Sequence, residues 1–168
     1  MTDAAHPIRP FLPADTPELI ELFAQSIEEL TADDYDEGQR LAWASTAADA
    51  QAFGARLAGM TTLVVMIEDD YAGFASLKDN TQIDMLYVHP FFAREGVATA
   101  LADALERLAA ARGAAEITVD ASDTAQAFFE GRGYVATQRN LMPLDDQWLS
   151  NMTMTKSLRP VGVTGAGT

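Results

Sequence analysis

Residues 83–113 read IDMLYVHPFFAREGVATALADALERLAAARG. The opening residues are apolar and aromatic and continue a strand from Gln82, which His89-Pro90 ends because proline cannot donate to a sheet ladder. From Gly96 the period changes. Val97, Leu101, Leu105 and Leu108 fall on one stripe of a helix predicted over residues 96–112 and stopped by Gly113. The junction Arg94-Glu95-Gly96-Val97-Ala98 therefore sits where a strand hands over to a helix. A helix N-terminus carries unpaired amides and the positive end of the helix dipole, so it attracts anions. Gly96 and Ala98 leave room for one, and Arg94 adds a charge-assisted contact. Alone, these residues fit a phosphate socket, but a lone glycine at a strand–helix junction is more often only turn chemistry.

The flanking segments alternate between the two periods. A short strand at residues 8–12 precedes a helix capped by Asp15 or Thr16, with Leu19, Leu22, Phe23 and Ile27 at helical spacing. Helices follow at 36–47 and 49–58, the second ending at Gly59. Strands are expected at 61–68 and 71–77, joined as a hairpin, and at 82–88 in the same sheet. Beyond the central helix come a strand at 116–119, a helix at 122–132 and two strands at 134–141 and 149–156. This order predicts an α+β fold, a mixed and mostly antiparallel sheet with helices on both faces. One domain is expected over residues 1–158, followed by a flexible Gly-rich tail at 159–168.

The composition narrows the function. Twenty-five acidic against eleven basic residues give a formal charge of −14, which argues against nucleic acid or an anionic membrane as partner. Zero Cys and two His exclude a thiolate nucleophile and leave little for a metal site. No apolar run is long enough to span a membrane and no secretory signal is visible, so a cytoplasmic location is expected.

Residues 83–113 resemble the signature of the GNAT acetyltransferase superfamily, in which a strand ending in Val-x-Pro precedes a loop of pattern Gln/Arg-x-x-Gly-x-Gly/Ala. Here that pattern falls on Ala93 to Ala98, with Ala93 in place of Gln or Arg. Residues 122–134, SDTAQAFFEGRGY, are similar to the family's Asn-x-x-Ala-x-x-Phe-Tyr-x-x-x-Gly-Phe. Ser122 replaces Asn, and Phe129 replaces the Tyr that usually protonates the departing thiolate. Residues 34–44, DYDEGQRLAWA, resemble a stretch of a bacterial subgroup labelled YafP-like, apart from Gly38 in place of Glu. FFEGRGY and LSNMTMTK fit the same subgroup. The resemblance covers roughly residues 8–158.

The resemblance implies a GNAT-like acyl-CoA N-acyltransferase fold and an acetyl-CoA dependent N-acetyltransferase. Such an enzyme acetylates a primary amine of a small molecule or peptide by direct attack in a ternary complex, without a metal. It also implies that acetyl-CoA lies against Leu86, Tyr87, Val88, Arg94, Glu95, Gly96, Val97, Ala98, Thr99, Ser122 and Phe128. A backbone amide near Tyr87 or Val88 would meet the developing oxyanion, between two central strands drawn apart. Strand alternation puts Asp84 with Leu86 and Val88 on an apolar face, where a carboxylate is a candidate base. Tyr134 and Ser122, with His89, are candidate acids. Tyr35, Gln39 and Trp43 at i, i+4 and i+8 would share one helix face and, with Glu28 and Asn151, line the acceptor pocket. Glu28, Glu29, Asp33 and Asp34 would make its mouth negative. Many members dimerise, which leaves a homodimer open. A catalytically degenerate acyl-CoA binding or sensor domain is the alternative.

Overall fold

The computed structural model describes residues 6–159, so all but the first residue of the expected tail lies outside the described residues. Strand β1 (Ile8–Pro10) leads into α1 (Thr16–Leu30), α2 (Glu37–Ala44) and α3 (Ala50–Ala58). Then come β2 (Thr61–Ile67), β3 (Asp70–Lys78) and β4 (Gln82–Val88). Helix α4 (Val97–Ala111), β5 (Glu116–Ser122), α5 (Gln126–Gly131), β6 (Val135–Leu144) and β7 (Gln147–Ser157) complete the chain. The seven strands form one sheet in the order β1-β2-β3-β4-β5-β7-β6. Every neighbouring pair is antiparallel except β4 and β5. No helix among the described residues is long and apolar enough to cross a membrane.

Period-2 alternation divides the sheet between two cores. Val65, Ala75, Ile83, Ile117 and Met154 meet Leu101, Leu105 and Ala109 of α4 and Phe129 of α5. Val64, Phe74 and Met85 meet Leu19, Phe23 and Ile27 of α1 and Phe53 and Leu57 of α3 on the other face. Helix α4 sits close to the sheet because Gly73 has no side chain. A Cβ there would come within 2.7 Å of Val97 Cγ1 and 3.0 Å of the Tyr87 carbonyl.

Several strands depart from the sequence reading, and β5 runs on to Ser122, past the expected end at 119. The last hairpin is longer than expected, because β6 runs on through Pro143, which pairs with Trp148. A proline is tolerated there because β6 is the edge strand and no ladder bond is required of its nitrogen. In β4, Ser76 and Leu77 of β3 face Met85 and Ile83, so Asp84 is one residue too many for its partner strand. This bulge resets the alternation. Asp84 turns to the face of Met85 and Tyr87, where Arg56 of α3 meets it, and not to that of Leu86 and Val88.

The β1–α1 junction is held by a buried carboxylate. Asp15 is 2% exposed and accepts both Arg9 guanidinium nitrogens at 2.8 Å, the Leu12 amide at 2.8 Å and the Tyr71 hydroxyl at 2.7 Å. The Arg9 hydrogen bonds hold its pKa down at about 2, against an ordinary 3.8. A depressed carboxylate stabilises the fold above its unfolded pKa, and that stability is lost as pH falls through the folded value. Denaturant titrations between pH 5 and 2 should therefore show Asp15 contributing about 2 kcal/mol above pH 4 that disappears toward pH 2. In Asp15→Asn that part of the acid dependence should be absent.

Candidate active site

Strands β4 and β5 pair at only two positions, Gln82 with Thr118 and Ile83 with Val119. Pairing stops at the Asp84 bulge. Past it the strands part, and a cavity of about 710 Å³ opens, lined by residues 82–88 of β4 and 119–122 of β5. The His89 amide donates to Ala72 O. By the alternation of an antiparallel ladder, the Tyr87 amide then faces β3, whereas those of Leu86 and Val88 face the gap.

The cavity's near end is the start of α4. His89 accepts the Phe91 amide on Nδ1 and caps the Pro90–Phe92 turn. Arg94 and Gly96 then adopt left-handed conformations, at φ 65° and 85°. His6 Nε2–H donates to the Glu95 carbonyl, pinning the loop from outside. The first helical bond runs from the Ala100 amide to Gly96 O, which leaves the amides of Val97, Ala98 and Thr99 without intrahelical acceptors. Arg94, Gly96, Val97, Ala98 and Thr99 all line the cavity, but Glu95 does not. Three free amides at the positive end of a 15-residue helix, with small side chains and one guanidinium, suit a phosphate.

The far end is an aromatic wall. Tyr35 precedes α2 and lies outside it, because Asp36 caps that helix by accepting the Gln39 amide at 2.8 Å. Tyr35, Gln39 and Trp43 therefore do not share a helix face. Gln39 returns the cap bond and donates to Trp148 O, away from the cavity. The Tyr35 hydroxyl donates to Ser150 O at 2.7 Å and accepts the Asp123 amide at 2.8 Å, and burial pushes its pKa up to about 12. Its ring meets Trp43 edge-on at 5.2 Å. Trp43 Nε1–H in turn donates to the Tyr87 hydroxyl at 3.1 Å.

The remaining expected residues divide. Asp84, Ser122, Phe128 and Asn151 line the cavity. Asp84 Oδ2 accepts from Nη2 and Nε of Arg56, at 2.8 and 3.2 Å, and no described residue bonds its Oδ1. Ser122 Oγ accepts the Ala125 amide and shapes the turn into α5. Asn151 Oδ1 accepts from Asn140. Tyr134 is misplaced as an acid: it is 3% exposed, outside the cavity, and donates to Glu106 Oε2 at 2.8 Å. Burial and that carboxylate push its pKa far above the phenol range. Glu106 also holds Arg132 and Lys156, so the group ties α4 and β7 to the turn between α5 and β6. The acidic mouth does not form: Glu28 pairs with Arg40, Asp34 accepts the Thr124 hydroxyl, and none of the four carboxylates lines the cavity.

Sequence reasoning missed the opposite wall, where Met142, Leu144, Leu149 and Ser150 of the β6–β7 hairpin complete the cavity. The apolar residues carried a signal, for Leu144 and Leu149 flank Asp145-Asp146 as a hairpin turn would be flanked. Arg56 carried none. Among the described residues no group of three or more His, Cys, Asp or Glu is placed to hold a metal ion.

Comparison with known proteins gives a consistent result. The Acetyltransferase (GNAT) domain family matches residues 31–158. The chain is 32% identical over 147 residues to the uncharacterized N-acetyltransferase YafP of Escherichia coli K12, covering 88% of this chain and 93% of that one. A crystal structure of a GCN5-related N-acetyltransferase from Rhodopseudomonas palustris is 53% identical, with a TM-score of 0.91 over 94% of this chain and 98% of that chain. The PaiA N-acetyltransferase of Thermoplasma acidophilum, solved with coenzyme A, shares the fold at 17% identity, with a TM-score of 0.75 over 92% and 99% of the two chains.

The Tyr35 hydroxyl joins two backbone groups, the Ser150 carbonyl and the Asp123 amide. Tyr35→Phe should lower the unfolding free energy by about 1–3 kcal/mol, because it removes both of these hydrogen bonds from a part-buried site. Chemical denaturation followed by Trp fluorescence reads this out.

Proposed function

The chain belongs to the GNAT acetyltransferase family, and from that we propose that it is an acetyl-CoA dependent N-acetyltransferase acting on a primary amine of a small molecule or peptide. The observation that carries this reading is the single cavity joining the free N-terminus of α4 to the gap between β4 and β5. An anion-binding end and an open central gap suit a co-substrate that carries phosphates at one end and a reactive thioester at the other.

Each group then has a role. The amides of Val97, Ala98 and Thr99, with Arg94, hold the pyrophosphate. Ser122 and Phe128 lie along the arm. The Val88 amide, pointing into the gap, donates to the carbonyl oxygen as negative charge develops on it. Asp84 takes the amine proton on Oδ1, directly or through water, while Arg56 fixes Oδ2. Tyr35, Trp43 and Asn151 form the acceptor wall with the hairpin. With zero Cys the amine attacks directly, and holding it against the thioester supplies much of the rate.

A second reading, binding without transfer, is favoured by Phe129, which leaves α5 without a hydroxyl at that position. Thiol release from acetyl-CoA across an amine panel separates the two: turnover with any acceptor supports the enzyme, and tight binding without turnover supports the sensor. Ala98→Glu should weaken coenzyme A binding by about 100-fold or more, since it sets a carboxylate among the phosphate-binding amides. The helix itself tolerates an acid in its first turn, so the melting temperature should hold. Asp84→Asn should cut turnover by about 10²–10⁴-fold at neutral pH, with coenzyme A affinity preserved.

A further inference from the structure

The chain has four tyrosines, and three commit their hydroxyl proton within the protein. Tyr35 donates to Ser150 O, Tyr71 to Asp15 Oδ1 and Tyr134 to Glu106 Oε2. Tyr87 is different. Its oxygen accepts the Trp43 indole N–H at 3.1 Å, and no described residue accepts its proton. The ring is held against Phe23 at 4.7 Å, Phe74 at 5.8 Å and Trp43 at 6.3 Å, so the hydroxyl has little freedom. Tyr87 lines the same cavity as Ala98, Thr99 and Ser122, and it belongs to the stretch of β4 that has lost its β5 partner. Phe129, across the cavity, has no hydroxyl and packs edge-on against Phe128 and Tyr134.

We propose that the Tyr87 hydroxyl, oriented by the Trp43 indole, donates a hydrogen bond to the sulfur of the acyl donor and stabilises the charge on it as it leaves. This rests on the acetyl-transfer reading above. The amine nitrogen forms the new C–N bond and the C–S bond breaks, its electron pair remaining on sulfur. The proton that the nitrogen loses goes to Asp84 or water, and the thiolate later takes one from water. Tyr87 keeps its own proton. Burial pushes its phenol up to about 12, so it remains a donor where a thiol ionises, near pH 8.5. The same value makes it a poor source of a transferred proton, which is why a retained hydrogen bond is assigned. Trp43 acts through Tyr87 and is a positioning residue.

The test needs no identified acceptor. Coenzyme A and desulfo-coenzyme A, which lacks the sulfur, are titrated calorimetrically into the wild type, Tyr87→Phe and Trp43→Phe at pH 7 and pH 9.5. The wild type should prefer coenzyme A, with that preference growing roughly 10-fold at the higher pH as the thiol ionises. Tyr87→Phe keeps the ring and its packing. It should lose the growth in preference while its desulfo-coenzyme A affinity stays within about twofold, and Trp43→Phe should lose part of it. If Tyr87→Phe retains the pH-dependent preference, or weakens both ligands equally, the proposal is overturned. Wild-type binding of both ligands with no growing preference for the sulfur overturns it too, and leaves the acetyl-transfer reading standing. Failure of the wild type to bind either ligand overturns both.

Discussion

The loss of pairing between β4 and β5 is the constraint on which the rest of the site depends. Two parallel strands that should zip along their length are joined at only two residue pairs. The extra residue in β4 marks where the ladder gives way. The groups at the centre of the sheet that were assigned a chemical role owe it to that opening: amides that face no partner strand, a carboxylate turned toward α3, and a tyrosine lining the cavity. An uninterrupted sheet would have carried the same residues with no access between its faces.

A parted sheet has to be held from elsewhere. Strand β5 pairs with β7 at seven positions on its other side, which fixes one lip of the gap. Beyond that lip, Tyr35 reaches over from the segment before α2 and bonds both the β7 backbone and the turn leading to α5. On the other lip, Gly73 lets α4 lie close to β3, so the helix start and β4 keep a fixed spacing. The end of the cavity at the start of α4 is thus set by close backbone packing, and the aromatic end by polar links to single backbone groups.

The fold was legible because its signals are periodic. The switch from strand to helical spacing at Gly96, the caps at Gly59 and Gly113, and the apolar stripe of α4 each fix an element. The candidate site's geometry was legible where it consists of backbone at a helix start, since small residues and one glycine mark it. Residues 34–39 also carried their correction in view, because Asp36 and Gln39 have capping-box spacing and so place Tyr35 before the helix. Other features have no local signature. A one-residue bulge at Asp84 breaks no pattern long enough to detect. Tyr134 turns inward because of Glu106, which lies 28 positions away. The hairpin wall joins the cavity only because β7 sits between β5 and β6, an order that chain sequence alone does not dictate.

The two-pair seam between β4 and β5 also bears on motion. Backbone protection against hydrogen exchange normally rises from the edges of a sheet toward its centre, where bonds are shielded and opening is most costly. Here the central strand carries, at Leu86 and Val88, amides that face no partner strand. The middle of this sheet should therefore take up solvent deuterium early, ahead of the paired strands on either side. An acyl donor lying in the gap would slow those amides by accepting their hydrogen bonds, so exchange at Leu86 and Val88 would report occupancy of the gap.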